Sequence, residues 1–354
     1  NPDTEKTAII NNDDILNLDG NKILKQTKLH KGELDVMFGG IVCKGFSLAG
    51  ERSPNDPRNY FYRKQLELVS ILKPKVRIIE NVPGIINAEI LRHDINNEVK
   101  DKVDTLWKKL ENYKGQKAYY RKANKITKDF EDDGKFLREE KDKLIQELKE
   151  KNLLISVKED IELIYNELGY TLQYKVLNSS WYGAATKRDR VIFVAVRNDI
   201  NEKYEYPKKE FGEGTNKKLT TVFDALKLID YTDKDDLDNI PMNHSAKTIE
   251  RFKYIGQGEN LAEKIDILPN ELKISKFYSR GSTMRLDGNK PSPTLVPGHS
   301  NFPIHPTENR CITVREAATI TGFPTNYKFF GSHTKRCEQV GNAVPPALAF
   351  AVAK

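Results

Sequence analysis

The stretch Leu34-Asp35-Val36-Met37-Phe38-Gly39-Gly40-Ile41-Val42-Cys43 decides the fold when read with Lys75-Val76-Arg77-Ile78-Ile79-Glu80-Asn81-Val82. Both runs are apolar, rich in β-branched side chains and too short for a helix. The spacing predicts a short buried strand over 34–38, stopped by Gly39-Gly40, and a second over 75–82 that ends in polar groups. Between them, residues 60–72 carry apolar side chains at helical intervals. Strand, loop, helix and strand make the unit of a parallel sheet, because parallel neighbours need a crossover. Sites in such sheets lie beyond the carboxyl ends of the strands. Cys43 follows the first strand and Glu80 closes the second, so a thiol and a carboxylate are expected on one edge.

Further along, residues 92–157 are rich in Lys and Glu and contain no proline. Leu106, Trp107, Leu110 and Tyr113 suit one amphipathic helix, and Phe136, Leu137, Leu144, Ile145 and Leu148 suit another. Glu131-Asp132-Asp133-Gly134 is expected to turn between them. The reading is an α-helical hairpin inserted in the sheet domain, its charges a solvated surface rather than a clamp on DNA or a partner. Ser156-Val157-Lys158-Glu159 has the form of a capping box, opening a helix to Leu168 that Gly169 closes. Strands over 171–177 and 190–197 resume the sheet. Residues 199–325 are irregular, with Gly, Pro and Lys throughout, and read as a smaller loop-rich domain. The end, 341–354, reads as a turn and a small-residue helix. The expected division is 1–91 and 158–198 for the two parts of the α/β domain, 92–157 for the insertion, 199–325 for the second domain, and 326–354 for a return to the first.

With 354 residues the chain is long enough for two domains and a sizeable core. No apolar run approaches the roughly 18 residues of a membrane helix. The net charge of +7 is compatible with a polyanionic partner, but composition by itself favours a Lys-rich solvated surface. The three cysteines, at 43, 311 and 337, form no framework, which suggests a reducing compartment. The six histidines lack zinc-ligand spacing, so no structural metal is expected. The chain starts at Asn1 and its first methionine is Met37, so an upstream segment is expected.

Cys43 is followed by Lys44, and a cation beside a cysteine lowers its pKa and favours the nucleophilic thiolate. By position alone an inert cysteine is the commoner outcome. Its weight comes from Glu80 on the same edge and from Thr186-Lys187-Arg188-Asp189-Arg190, which sets two arginines before a strand. A nucleophilic cysteine, an acid and an arginine are what electrophilic substitution on a pyrimidine needs.

Motifs in order along nearly the whole chain carry a resemblance. They are Gly39-Gly40-Ile41-Val42-Cys43-Lys44-Gly45-Phe46-Ser47, then Ala49-Gly50-Glu51-Arg52 and Asp56-Pro57-Arg58, then Glu80-Asn81-Val82. Next come Leu177-Asn178, Tyr182-Gly183 and Lys187-Arg188-Asp189-Arg190, then Arg285-Leu286, Pro291-Ser292-Pro293-Thr294, His305-Pro306, Arg310, Thr313-Val314-Arg315-Glu316-Ala317 and Gly322-Phe323-Pro324. The last is Gly341-Asn342-Ala343-Val344-Pro345-Pro346. In these the sequence resembles the DNA (cytosine-5) methyltransferase family. It departs from the family pattern at Val42 and Lys44 around the cysteine, at Ala185 and Thr186 in the arginine motif, and at Ile320-Thr321 before Gly322-Phe323. The glycine-rich cofactor loop is absent, and the chain begins where the family's third strand is expected.

The resemblance implies a Rossmann-like S-adenosylmethionine-dependent sheet domain, a smaller target-recognition domain, and the α-helical insertion. It implies that Cys43 attacks a flipped-out cytosine, Glu80 acts as the acid, and Arg190 holds the base with Arg188 nearby. It implies cofactor contacts at Asp14, Gly40, Val42, Asn342 and Val344. The segment from Ser47 to Arg58 resembles a loop closing over DNA, with Ser47, Arg52 and Arg58 as phosphate contacts. Lys253, Lys273, Lys276, Arg280 and the Gly256-Gln257-Gly258 turn are further DNA-contact candidates. The implied partner is double-stranded DNA in a microbial cytoplasm, within a restriction–modification system. An N-terminal segment or separate subunit is expected to supply the glycine-rich turn. The alternatives are a catalytically impaired DNA-binding relative and an RNA cytosine methyltransferase of the same fold.

Overall fold

The computed structural model describes residues 9, 11–40, 53–123, 125–274, 281–298 and 302–354. The chain forms two compact units, Asn1–Val176 with Val191–Tyr204, and Leu177–Arg190 with Glu205–Lys354. The second unit therefore takes in the segment holding both arginines of the arginine motif.

In the first unit, helix α1 (Gly20–Thr27) precedes strand β1 (Val36–Gly40), helix α2 (Phe61–Leu72) and strand β2 (Val76–Asn81). Strand β3 (Glu89–Leu91), helix α3 (Asn97–Lys122), helix α4 (Lys128–Glu150) and strand β4 (Leu154–Ser156) follow. Helix α5 (Val157–Glu167) then leads to β5 (Tyr170–Asn178) and β6 (Asp189–Arg197), two strands that each straddle the boundary between units. The main sheet has the order β1-β2-β6-β5. β1 and β2 are parallel, with Val36 opposite Val76 and Gly40 opposite Glu80, whereas β2 and β6 are antiparallel.

β1 runs through Gly39 and Gly40 instead of stopping before them. Ladder hydrogen bonds need only main chain, so glycine keeps the register. Nor is β1 buried as expected. Val36 is 47% and Phe38 81% exposed, because among the described residues β1 is an outer strand. The core lies instead under Tyr62, Leu66 and Val69 of α2, Ile161 and Tyr165 of α5, and Val191, Phe193 and Ala195 of β6. The spacing in α2 and α5 places these side chains on one helical face. Ser156 and Glu159 make the reciprocal capping box that starts α5, and Gly169 after it adopts φ +78°.

The inserted hairpin is present, but its turn is misplaced by the sequence reading. It falls between Lys122 and Lys128, where the Thr127 hydroxyl caps α4 by accepting from the Phe130 amide. Glu131–Gly134 lie within α4. Gly134 lies in the helix, and a methyl there would clash with the Tyr113 ring, so the glycine marks close helix packing. Leu106, Trp107, Leu110, Leu144 and Leu148 form the hairpin's core, whereas Phe136 is 60% exposed. The unforeseen pairing of β3 with β4 joins the hairpin's two feet.

The second unit contains α6 (Val222–Leu226), α7 (Ala246–Phe252), α8 (Val314–Thr321), α9 (His333–Asn342) and α10 (Pro346–Ala353), joined by loops and short turns. Gly341 and Asn342, read from sequence as a turn, end α9. Arg285 organises one core. Its guanidinium donates to the carbonyls of Ile255 (2.5 Å), Phe252 (2.8 Å), His305 (2.7 Å) and Glu308 (2.7 Å), and to the Asn309 side chain (2.7 Å). Arg310 forms a fork to Glu316, 2.8 Å to each oxygen, while Glu316 and Thr313 cap α8 reciprocally. No described helix is long and apolar enough to cross a membrane.

His244 links pH to the stability of this unit. Its Nε2 accepts from the Cys311 amide at 3.1 Å, which requires the neutral ring, and burial lowers its pKa from the ordinary value. A histidine whose folded pKa is depressed contributes stability that is present above the unfolded value, roughly 6.5, and lost as pH falls through the folded value. The midpoint of thermal unfolding is expected to fall between pH 7.5 and 5.5, and His244→Gln to shrink that difference. A pH response unaltered by the substitution would assign the acid sensitivity elsewhere.

Candidate active site

In the first unit the parallel pairing of β1 and β2 places Gly40 directly opposite Glu80. The two residues lie at the carboxyl ends of their strands, where an α/β sheet forms its sites. A Cβ built on Gly40 would be 3.4 Å from Glu80 Oε2, so the carboxylate lies against the end of β1. Asn81 is buried and its Oδ1 accepts from the Val82 amide at 2.8 Å, fixing the turn after the acid. Cys43 is three residues beyond Gly40 and lies, with Val42, Ser47 and Arg52, outside the described residues. The other two cysteines are unsuited to nucleophilic work. Burial pushes Cys311 up to about 12 and Cys337 up to about 11, so both stay protonated at neutral pH.

Beyond the Cys43 segment, Asp56 caps the turn Pro57–Tyr60 and pairs with Arg58 at 2.5 Å. The guanidinium beside it holds the Asp56 carboxyl below its usual range. Arg58 is nonetheless exposed, as a phosphate contact must be. Asn55 Nδ2 donates to both oxygens of Asp104 in α3, at 2.9 and 3.0 Å. The insertion thus touches the end of the segment that follows Cys43. Asp14 caps a turn by accepting from the Leu16 amide at 2.9 Å and is otherwise exposed.

In the second unit Arg188 is buried and donates to Leu295 O at 3.1 Å and Gly341 O at 2.8 Å. It ties the arginine motif to the last motif and serves the architecture of this unit. Gly341 is required there, since a methyl would fall 2.4 Å from Pro297 Cα. Asn342 ends α9, and Val344 precedes α10. Arg190 is 9% exposed, and its Nη1 donates to Asp189 O at 2.7 Å.

The profile of the C-5 cytosine-specific DNA methylases matches residues 5–107 and 136–354. The chain belongs to this family. Residues 108–135, the outer part of the α3–α4 hairpin, lie between the two matched stretches. Among its relatives is the type II methyltransferase M1.HphI of Haemophilus parahaemolyticus, 27% identical over 96% of this chain and 72% of the relative. Another is M.Eco47II of Escherichia coli, 27% identical over 92% of this chain and 64% of the relative. The chain spans about two thirds of the length of such relatives. A crystal structure described as a prophage-encoded DNA modification methyltransferase of E. coli has the same fold, with a TM-score of 0.58 at 22% identity over 96% of this chain and 83% of that one.

Of the DNA-contact candidates, Lys253 is exposed and paired with Glu250 at 2.7 Å, and Lys273 is exposed. Lys276 and Arg280 lie outside the described residues. The Gly256-Gln257-Gly258 turn is engaged internally, since Gln257 accepts from the Gly288 amide at 2.9 Å and Gly258 N donates to Arg285 O at 3.0 Å. Gln65 and Arg77, two buried polar residues of the first unit, were not singled out from the sequence. The available signal was an arginine inside an apolar strand, Val76-Arg77-Ile78-Ile79.

Proposed function

We propose that this methylase transfers a methyl group from S-adenosylmethionine to carbon 5 of a cytosine rotated out of duplex DNA, within a restriction–modification system. The observation that supports this most is the Glu80 carboxylate beside Gly40, at the strand end that leads to Cys43. Rotation of the base is needed because its reactive carbon is unreachable inside the stack. The Cys43 thiolate adds to ring carbon 6, making carbon 5 nucleophilic. Glu80 holds a proton against the ring and so stabilises the enamine. Arg190 holds the carbonyl oxygen of the base, and Arg188 keeps the arginine motif in place. After methylation, loss of the carbon-5 proton and of the thiolate from carbon 6 releases the product.

The residues present suit one part of the cofactor, and the glycine-rich turn for its amino-acid end is not among them. Gly40, having no side chain, leaves the space beside Glu80 clear, and Asp14 offers an exposed carboxylate to the adenine side. Val42, Asn342 and Val344 complete the proposed set. When bound, S-adenosylmethionine supplies an electrophilic methyl group. Target choice is assigned to residues 199–284, with Ser47, Arg52 and Arg58 from the loop and Lys253, Lys273, Lys276 and Arg280 contributing contacts to DNA.

The test is incorporation of labelled methyl groups into mixed-sequence duplex DNA. Glu80→Gln keeps the size of the side chain and removes its acid. It is expected to lower transfer by roughly 10²–10⁴-fold, the usual worth of a positioned acid. Full transfer by the variant would remove Glu80 from the mechanism.

A further inference from the structure

Arg77 heads the large side chains wholly buried among the described residues, at 1% exposure, and it is the second residue of β2. Its Nη1 donates to the carbonyls of Met37 (3.2 Å) and Ile78 (2.9 Å), and its Nη2 to Gln65 Oε1. Tyr165 is the other polar side chain near it. Among the described residues no carboxylate pairs with it. A cation buried against neutral groups alone is costly, and removing it leaves its buried and part-buried acceptors without that donor.

The chain of contacts continues toward the site. Gln65, on α2 and 9% exposed, accepts from Arg77 with Oε1 and donates with Nε2 to Gly40 O at 2.9 Å. Arg77 fixes which way the amide points, because a guanidinium only donates and must meet the oxygen. The amide nitrogen is then committed to Gly40. That carbonyl belongs to the last residue of β1, opposite Glu80 and three residues before Cys43.

We infer that Arg77 and Gln65 are positioning residues. Arg77 orients Gln65, and Gln65 holds Gly40, the end of β1, in place beside Glu80. The inference rests on the proposed roles of Cys43 and Glu80. Misplacement of a reacting group by about 1 Å costs on the order of 100-fold in rate, so a small release of Gly40 is enough to be measured.

Gln65→Glu separates positioning from packing. The glutamate keeps its partner Arg77 and gains an ion pair, but has no hydrogen to give Gly40 O. The readouts are the rate of covalent adduct formation on saturating 5-fluorocytosine duplex with S-adenosylmethionine, kcat and KM for ordinary duplex, and the thermal midpoint. The expected result is an adduct rate and kcat lower by roughly 10- to 100-fold, with KM for DNA and the midpoint unchanged. Arg77→Met is expected to slow the adduct similarly and, because three buried or part-buried acceptors lose their donor, to lower the midpoint as well. Wild-type rates in a folded Gln65→Glu protein would overturn the inference alone. Absence of any adduct with the wild-type chain, once calorimetry shows S-adenosylmethionine bound to it, would instead overturn the proposed function, and the inference with it. Should Arg77→Met fail to fold, Arg77 is structural, and the role of Gln65 stands or falls on Gln65→Glu.

Discussion

Cys43→Ser protein, mixed with S-adenosylmethionine and duplex DNA carrying 5-fluorocytosine at the target, is expected to form no covalent adduct, whereas the parent chain traps a stable one. Fluorine cannot leave carbon 5 as a proton does, so the reaction stops with enzyme and base joined through sulfur. A serine hydroxyl is a far weaker nucleophile near neutral pH than a thiol, which ionises a few per cent even at its ordinary pKa. The parent adduct should migrate as protein and DNA together in a denaturing gel. The other cysteines do not substitute, because Cys311 and Cys337 are buried and held protonated. Persistence of the adduct in Cys43→Ser would show that another residue attacks, and Glu80 and Arg190 would then need new roles.

Arg285→Met is expected to cost the second unit about 3 kcal/mol or more. Five donated hydrogen bonds disappear together, and four main-chain carbonyls and one side-chain amide lose a charged donor. A hydrogen bond to a charged group contributes roughly 1.5–3 kcal/mol, though such losses do not simply add. Whole domains are stable by only about 5–15 kcal/mol. Arg285→Lys should recover little, since an ammonium does not reproduce the guanidinium fork. The measurement is a urea unfolding curve with limited proteolysis. The second unit should be cut first, with fragments ending inside 205–354. A midpoint within error of the parent would mean that the surrounding loops hold each other without Arg285.

Both experiments begin from residues that a reading of sequence alone singles out, yet only one of the two roles was legible there. Arg285 stood out as part of a motif near the recognition segment, and its five inward bonds assign it to the scaffold. Arg188 follows the same course, holding Leu295 and Gly341. An arginine looks alike in sequence whether it faces a ligand or a carbonyl, because the partners that decide lie 20–33 residues away for Arg285 and 107–153 for Arg188.

What the sequence by itself determined is local. β-branched runs, helical periodicity and the Ser156–Glu159 cap fixed β2, α2, α5, β5 and β6 to within a residue or two, because these signals act through neighbouring side chains. The ordered motifs determined the family. Tertiary structure decided the rest. The extent of β1 came from its register with β2, which carried pairing through two glycines. The hairpin turn moved to 123–127 because Gly134 was needed for close approach to Tyr113 and not for a bend. The path from Arg77 through Gln65 to Gly40 joins two strands and a helix, and contacts of that range arise only when packing removes the water that would otherwise satisfy each group.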